Sequence, residues 1–434
     1  MEEKKVSSVE STTLKKLKPE EKKSWVSIAF IWAGNVICVP ALMVGGMVTA
    51  GLNFQQSVIA MMIGYLIVLS YMMLMGAQAA QLGVPSTVSI SRAFGDRGSG
   101  VAVSIIIAIS MIGWFAFQTY VCASSFCMIM QSSLGINFPI SLASIIWGVA
   151  MLITAVYGIG IIKLLNIVSV PALFIFLIYG VATILGKAGS GAALTAYAPQ
   201  TPFPLLVGIT ISVGGFAVGA IIAGDYTRYC KSGKSAALSC LVGVFPAGVG
   251  ALVCGAVLAI CSGSYDITVM FANIGLPIAG LIVLILATWT TNTGNAYSAG
   301  IAIVNIFKLN DNKRFLATII AGSFGIVLAL IGVINVFVPF LSFLSFLIPP
   351  VAGVAIADYW ILGKGKADTW KPMPGVNWIG IVSWLAGVAV GIFFTTFLIP
   401  TINGIVVAAI IYIILMSVIK DPKFNPFTEL KGEE

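Results

Sequence analysis

Apolar stretches of about 18 residues or more recur along this chain from Ser24 to Ile419, with little but short polar links between them. Each can cross a hydrocarbon layer about 30 Å thick as a helix. The bilayer core holds no water to pair exposed N–H and C=O groups, so such stretches must satisfy their own backbone. Composition agrees: 59% of the 434 residues are hydrophobic and 9% are charged, against about 25% charged in an ordinary soluble domain. The chain reads as an all-α polytopic membrane protein. Its first apolar run opens near Trp25 behind a charged segment, which is not the order of a cleaved signal peptide.

Twelve spans are predicted, at about 25–51, 54–81, 100–131, 138–159, 162–186, 203–224, 236–261, 274–307, 315–334, 336–359, 376–396 and 398–419. They form one domain, 25–419, between tails at 1–24 and 420–434. With the N-terminus placed in the cytoplasm, every one of the 23 basic residues except Lys187 falls in a tail or an inner loop. That asymmetry is the positive-inside bias. It predicts a multi-pass protein of the plasma (inner) membrane with both termini cytoplasmic. It also explains a pI near 9.1 without nucleic acid, so the lipid bilayer is the expected partner and no obligatory protein partner is predicted. The 7 cysteines are scattered with no CxxC, and there is no histidine. No disulfide framework, zinc site or cofactor is expected.

Two spans carry helix breakers at their centres. Span one holds "AGNVICVPALMVGG", residues 33–46, and span six holds "ISVGGFAVG", residues 211–219. An interior proline removes a backbone bond and clashes with the preceding turn; an interior glycine costs roughly 1 kcal/mol relative to alanine. Breaks at corresponding places in two halves mark the binding sites of transporters built from inverted repeats. The glycines of span six are therefore expected to free backbone amides and carbonyls for a ligand. The bland alternative is that they permit close helix packing.

The chemistry available at mid-membrane is neutral. Of the 15 carboxylates, Asp358 lies at the end of span ten and the others fall in tails, loops or near span ends. Ionisable residues inside membranes mark proton relays and charged-substrate sites, so a neutral substrate is expected. In span three, "GWFAFQTY" places Trp114 and Gln118 one turn apart on one face. An indole beside an amide suits a flat polar ring, which stacks on one and pairs with the other. In span eight, "ATWTTNTGNAYSAG" sets Ala287, Thr290 and Thr291 at i, i+3 and i+4, with Asn292 and Asn295 following. Hydroxyls and carbonyls there offer neutral oxygens to a small hard cation, or else serve interhelical hydrogen bonds.

Together these pieces, with "SVGGFAVGAIIAGDYTRY" and "IPPVAGVAIADYW", resemble the nucleobase–cation symport family along nearly the whole chain, and within it the bacterial cytosine permeases. The resemblance implies the LeuT-type fold: two inverted five-helix repeats, about 25–186 and 203–359, plus two C-terminal helices at about 376–419, with spans one and six broken. It implies a ring sandwiched by Trp114 and Phe216, bonded by Gln118, with Ser212, Gly214, Gly215, Cys38, Asn292 and Asn295 around it. It implies sodium as coupling ion, held by Gly34, Ile37, Ala287, Thr290 and Thr291. Hydantoin-type members carry tryptophan at the position of Phe216 and glutamine at that of Cys38, so the smaller platform here favours a smaller ring.

The leading expectation is sodium-coupled symport of a neutral nucleobase, cytosine first, with proton coupling, another ring or a neutral amino acid as alternatives on the same fold. An amino-acid carrier leaves the Trp114–Phe216 pair without a purpose. An enzyme needs a nucleophile–base or metal cluster, and the sequence shows none.

Overall fold

The bend in span one follows from Pro40. Trp25–Val36 is helical, Ile37 and Cys38 leave the helix, and Val39–Thr49 resumes it at a bend of 59°. Ile37 sits at φ −83°, ψ 85°, and Cys38 is extended at φ −146°, ψ 164°. Pro40 has no N–H to return to the Val36 carbonyl, while its fixed φ suits the first turn of a new helix. The Cys38 carbonyl starts that helix by accepting from the N–H groups of Ala41 (3.1 Å) and Leu42 (3.4 Å).

The computed structural model describes residues 17, 19–157, 159–186, 190–273, 277–310, 313–394, 399–421 and 424–427. Residues 1–16 and 428–434 of the predicted tails, and Lys187, lie outside them. Spans two to five are Phe54–Leu82, Asp96–Leu134, Ile140–Tyr157 and Ile159–Leu185. Spans six to nine are Leu205–Ile221 with Ala223–Thr227, Gly233–Ser262, Pro277–Phe307 and Arg314–Leu330. Spans ten to twelve are Val333–Leu362, Trp378–Phe393 and Pro400–Val418. Among the described residues, 6 helices are long and apolar enough to cross a membrane, 7 with the bent pair; shorter apolar stretches lie in spans four, five, six, nine and eleven.

An internal repeat shows in the caps. Span two opens on a capping box, Asn53 with Gln56, and closes on Gly83 at φ 72°. Span seven, five spans later, opens on Ser232 with Ser235 and closes on Gly263 at φ 69°. Reciprocal side-chain bonds satisfy the first orphan N–H groups, and glycine takes the left-handed turn without a Cβ penalty. Five is odd, so the second set runs the opposite way across the layer. Packing keeps the same pairing. Span seven lies along span two and both halves of span one, and span six lies along span two. Span eight lies along spans three and nine, and span nine along span four. Phe115, Met151, Ile285 and Ile326 make the core of this second group. Twelve packs against eleven and against Pro349–Ile356 of span ten.

Two details depart from the sequence reading. Span six is interrupted at Ile222 (φ −87°, ψ 11°), and remains helical through Gly214 and Gly215. The interruption lies about two turns beyond the predicted place. A Cβ at Gly214 would strike the Leu341 carbonyl, and one at Gly219 would strike the Phe216 ring. These glycines allow spans six and ten to touch and give Phe216 its room, which is the close-packing role. Span ten is not one α-helix: Phe337–Leu347 and Pro349–Ile356 meet at Pro349–Pro350, and a π-helical turn, Ala357–Leu362, ends it.

Leu17, Lys22 and Lys23, ahead of span one, are tied down. Leu17 N–H donates to the Gly83 carbonyl (2.9 Å), Lys23 N–H to Tyr229 (2.6 Å) and the Lys22 ammonium to the Arg228 carbonyl (2.7 Å). These residues thus lie at the adjoining ends of spans two and six.

Candidate functional site

The two packing groups leave a cavity of about 220 Å³ between spans one, three, six and eight. Trp114, Gln118, Gly214, Gly215, Phe216, Cys38 and Asn295 line it. Trp114 is held edge-on by Phe117, Phe337 and Phe340, with centroids 6.4, 5.8 and 5.7 Å away. Phe216 is stacked on Tyr65 and met edge-on by Trp32 at 6.3 Å. Both aromatic walls are therefore fixed by their neighbours before any ligand arrives.

Gln118 is fully buried, and neither its amide nitrogen nor its amide oxygen has a hydrogen-bond partner on the protein. A buried polar group left unpaired costs about 1–3 kcal/mol. A structural amide at this depth finds a partner on a neighbouring helix, and Asn292 shows how: its Nδ2 donates to the Phe115 carbonyl and the Thr119 hydroxyl, both at 3.0 Å. Gln118 has the opposite character, an unpaired donor and acceptor at a cavity wall.

Not every predicted residue reaches this cavity. Asn292 does not line it; it bridges spans three and eight and accepts from Asn295 Nδ2 at 3.2 Å. Ser212 does not line it either: its hydroxyl donates to the Gly208 carbonyl of its own helix (2.8 Å), and its Cβ faces Gly64 of span two. Asn292 thus serves an interhelical hydrogen bond, and Ser212 the close approach of spans two and six. Conversely, Trp32, Asn35 and Tyr226 line the cavity and were absent from the sequence reading. Trp32 is buried, its Nε1 has no partner, and its ring meets Tyr226 at 4.8 Å. Its one legible signal was position, two turns before Pro40 in the span already marked by the break.

A second cavity, about 580 Å³, lies beside the first. Gly34 and Ile37 of span one and Ala287, Thr290 and Thr291 of span eight all line it. Thr290 and Thr291 both donate to the Ala287 carbonyl, at 2.9 and 3.0 Å. Each hydroxyl spends its proton there and keeps its oxygen lone pairs. On span one, Pro40 leaves the Val36 carbonyl without its helical donor, and Ala41 turns to Cys38 in place of Ile37. Such neutral oxygens fit a hard cation. Asn35, Cys38, Tyr226 and Thr291 line both cavities, so the two are contiguous.

Among the described residues, no Lys, Arg, Asp or Glu lines either cavity, and no group of three or more Cys, Asp or Glu is placed to hold a metal. The buried charges sit elsewhere. Arg92 Nε pairs with Asp358 at 2.9 Å, and the Tyr412 hydroxyl donates to the same carboxylate at 2.9 Å. Asp225, in the second segment of span six, accepts from the Ser86 N–H at 2.9 Å.

Comparison with known proteins gives a consistent picture. A family model described as permease for cytosine/purines, uracil, thiamine and allantoin matches residues 17–415. The cytosine permease of Escherichia coli (strain K12) is 28% identical over 396 residues, 91% of either chain. The hydantoin permease of Microbacterium maritypicum is 25% identical, covering 89% of this chain and 84% of that one. Among solved structures, the inward-facing conformation of Mhp1 has a TM-score of 0.82 at 23% identity, over 97% of both chains. The closed conformation of Mhp1, a nucleobase-cation-symport-1 family transporter with bromovinylhydantoin bound, has a TM-score of 0.73 at 22% identity, over 94% of this chain and 95% of that one. These likenesses are of fold, and the fold is the LeuT type: inverted five-helix repeats, a broken first span and two further helices.

Proposed function

The chain belongs to this family of permeases for cytosine and purines, uracil, thiamine and allantoin, and we propose that it is a sodium-coupled symporter of a neutral nucleobase, with cytosine as its substrate. The observation that carries this reading is Gln118: a buried, unpaired amide one helical turn from Trp114 on a cavity wall. The ring lies between the faces of Trp114 and Phe216, where stacking is worth about 1–3 kcal/mol per base. Gln118 supplies one donor and one acceptor to its edge. The 28% identity to cytosine permeases and the phenyl platform at Phe216 favour a small pyrimidine.

Sodium binds among Gly34, Ile37, Ala287, Thr290 and Thr291, whose oxygens are neutral, so a bound cation keeps its charge and draws span eight to the break of span one. The protein lies in the plasma (inner) membrane with both termini in the cytoplasm, and residues 25–186 and 203–359 are the two repeats that alternate access around the cavity.

The test is thermal stabilisation of purified protein by cytosine, uracil, adenine, hydantoin and leucine, at fixed ionic strength in sodium, potassium or choline chloride. Cytosine is expected to stabilise most, and most strongly in sodium. Equal cytosine shifts in the three salts would remove sodium coupling; a larger shift with leucine would remove the nucleobase reading.

A further inference from the structure

We infer that Ser169, on span five, is a further oxygen ligand of the coupling ion, an inference that rests on the sodium reading above. The cavity holding the five candidate ion ligands has walls from spans one and eight, and a third wall from span five, which contributes Ser169 and Leu173. Ser169 is 1% exposed and its hydroxyl has no hydrogen-bond partner. Buried hydroxyls on helices ordinarily donate back to a carbonyl one turn earlier. Thr154, Thr210 and Ser212 do so in this protein, each at 2.8 Å. Ser169 does not, and among the described residues it is the one unpaired buried hydroxyl that lines this cavity.

The chemistry matches a cation rather than the ring. A hydroxyl proton rotates freely when nothing holds it, so Ser169 can turn its proton away and present lone pairs. Hard cations take shells of about six oxygens. Three carbonyls, from Gly34, Ile37 and Ala287, and two threonine hydroxyls leave room for one more. Ser169 does not line the cavity shared by Trp114 and Gln118, which separates it from ring recognition. With this ligand the ion ties span five to spans one and eight. Movement of span five away from the cavity then removes an ion ligand, so opening on that side and release of the ion occur together. A ligand present in one conformation and absent in the other is what shifts a two-state population.

The experiment is a sodium titration of purified full-length protein, with sodium chloride alone as ligand and choline chloride holding ionic strength, read by thermal stability. S169A is expected to raise the half-saturating sodium concentration about fivefold, with the sodium-free melting temperature little changed. S169T, which restores the oxygen, is expected to titrate like wild type. S169C keeps the volume but offers a soft sulfur, and serves if S169A folds poorly; it is expected to shift as S169A does. If the Ser169 variants titrate like wild type while Thr291→Ala is shifted, Ser169 is not a ligand and the sodium site stands without it. If wild type shows no saturable response to sodium against choline, the sodium site and the role of Ser169 fall together.

Discussion

The Phe216 ring lies stacked on that of Tyr65, centroids 6.0 Å apart and planes 12° from parallel, so the platform on span six is backed by span two. Aromatic pairs contribute about 0.5–1.5 kcal/mol beyond their buried area. Tyr65→Leu is expected to weaken ring binding about three- to tenfold, because Phe216 loses the surface that orients it. Tyr65→Phe keeps the stack and is expected to bind like wild type. Phe216→Ala removes the platform itself and is expected to cost about 1–3 kcal/mol. Isothermal titration with cytosine measures all three; undiminished affinity in Tyr65→Leu would show that Phe216 needs no backing.

Gln118 sets stability against function. Its buried amide has no partner among the protein's own groups, so replacing it by an apolar side chain of similar volume is expected to remove a desolvation cost of about 1–3 kcal/mol. Gln118→Leu is therefore expected to raise the melting temperature of the ligand-free protein and to abolish the further rise on adding cytosine. A packing amide would behave oppositely, losing stability on substitution. Melting curves with and without the base separate the two roles, and a lower ligand-free melting temperature would return Gln118 to packing.

Much of this was legible in the sequence, and the misses have physical causes. Apolar length fixes the spans, since lipid admits no other use of such runs. Pro40 fixes the break in span one because its missing N–H is a covalent fact. Gly214 has no such local meaning. It stays helical, and the Leu341 backbone packs where a side chain would be, a neighbour that lies on another span. Asn292 and Asn295 looked alike along the helix, yet one is spent on Phe115 and Thr119 while the other reaches the cavity. Trp32 was missed because it stands among apolar residues, beside Phe30 and Ile31, which are exposed; only the turn of the helix tells them apart.

Trp32 brings a single donor to the cavity, and its Nε1–H is buried and unpaired. An indole is donor only, so in this pocket it is expected to pair with the carbonyl oxygen of cytosine. Trp32→Phe keeps an aromatic ring against Phe216 and Tyr226 and deletes the N–H. It is expected to weaken cytosine about three- to tenfold, the value of a neutral hydrogen bond of about 1 kcal/mol. It is expected to leave 4-aminopyrimidine, which lacks the carbonyl, with a smaller loss. Competition binding with both compounds is the measurement. An equal loss for the two would assign Trp32 to packing.

The Arg92–Asp358 pair is expected to matter for folding and not for recognition. Both side chains are at most 2% exposed, their contact is 2.9 Å, and neither lines either cavity. Breaking a buried pair by removing one partner costs about 3–5 kcal/mol because it strands the other charge. Asp358→Ala and Arg92→Ala are each expected to lower the melting temperature strongly, while the folded fraction binds cytosine with wild-type affinity. Arg92→Met with Asp358→Leu removes both charges and is expected to recover most of the loss. Denaturation of the single and double variants reads the coupling, and additive losses would mean that the two charges do not act as a pair.

Thr290 and Thr291 share the Ala287 carbonyl but face different surroundings: both line the larger cavity, and Thr291 alone also lines the smaller one with Trp114 and Gln118. Linkage requires that sodium tighten the base by the same factor by which the base tightens sodium. Thr290→Ala is expected to raise the half-saturating sodium concentration while leaving cytosine affinity in sodium-free choline chloride unchanged. Thr291→Ala is expected to raise it too, and also to weaken cytosine in the absence of sodium, because it removes a hydroxyl from the wall that the two cavities share. The coupling factor, measured from either side, should fall further in Thr291→Ala than in Thr290→Ala. With no Lys, Arg, Asp or Glu on either cavity wall among the described residues, that factor is expected to stay constant between about pH 6 and 8. A factor that varies tenfold over that range would place a titrating group in the coupling path and remove the neutral-oxygen account of it.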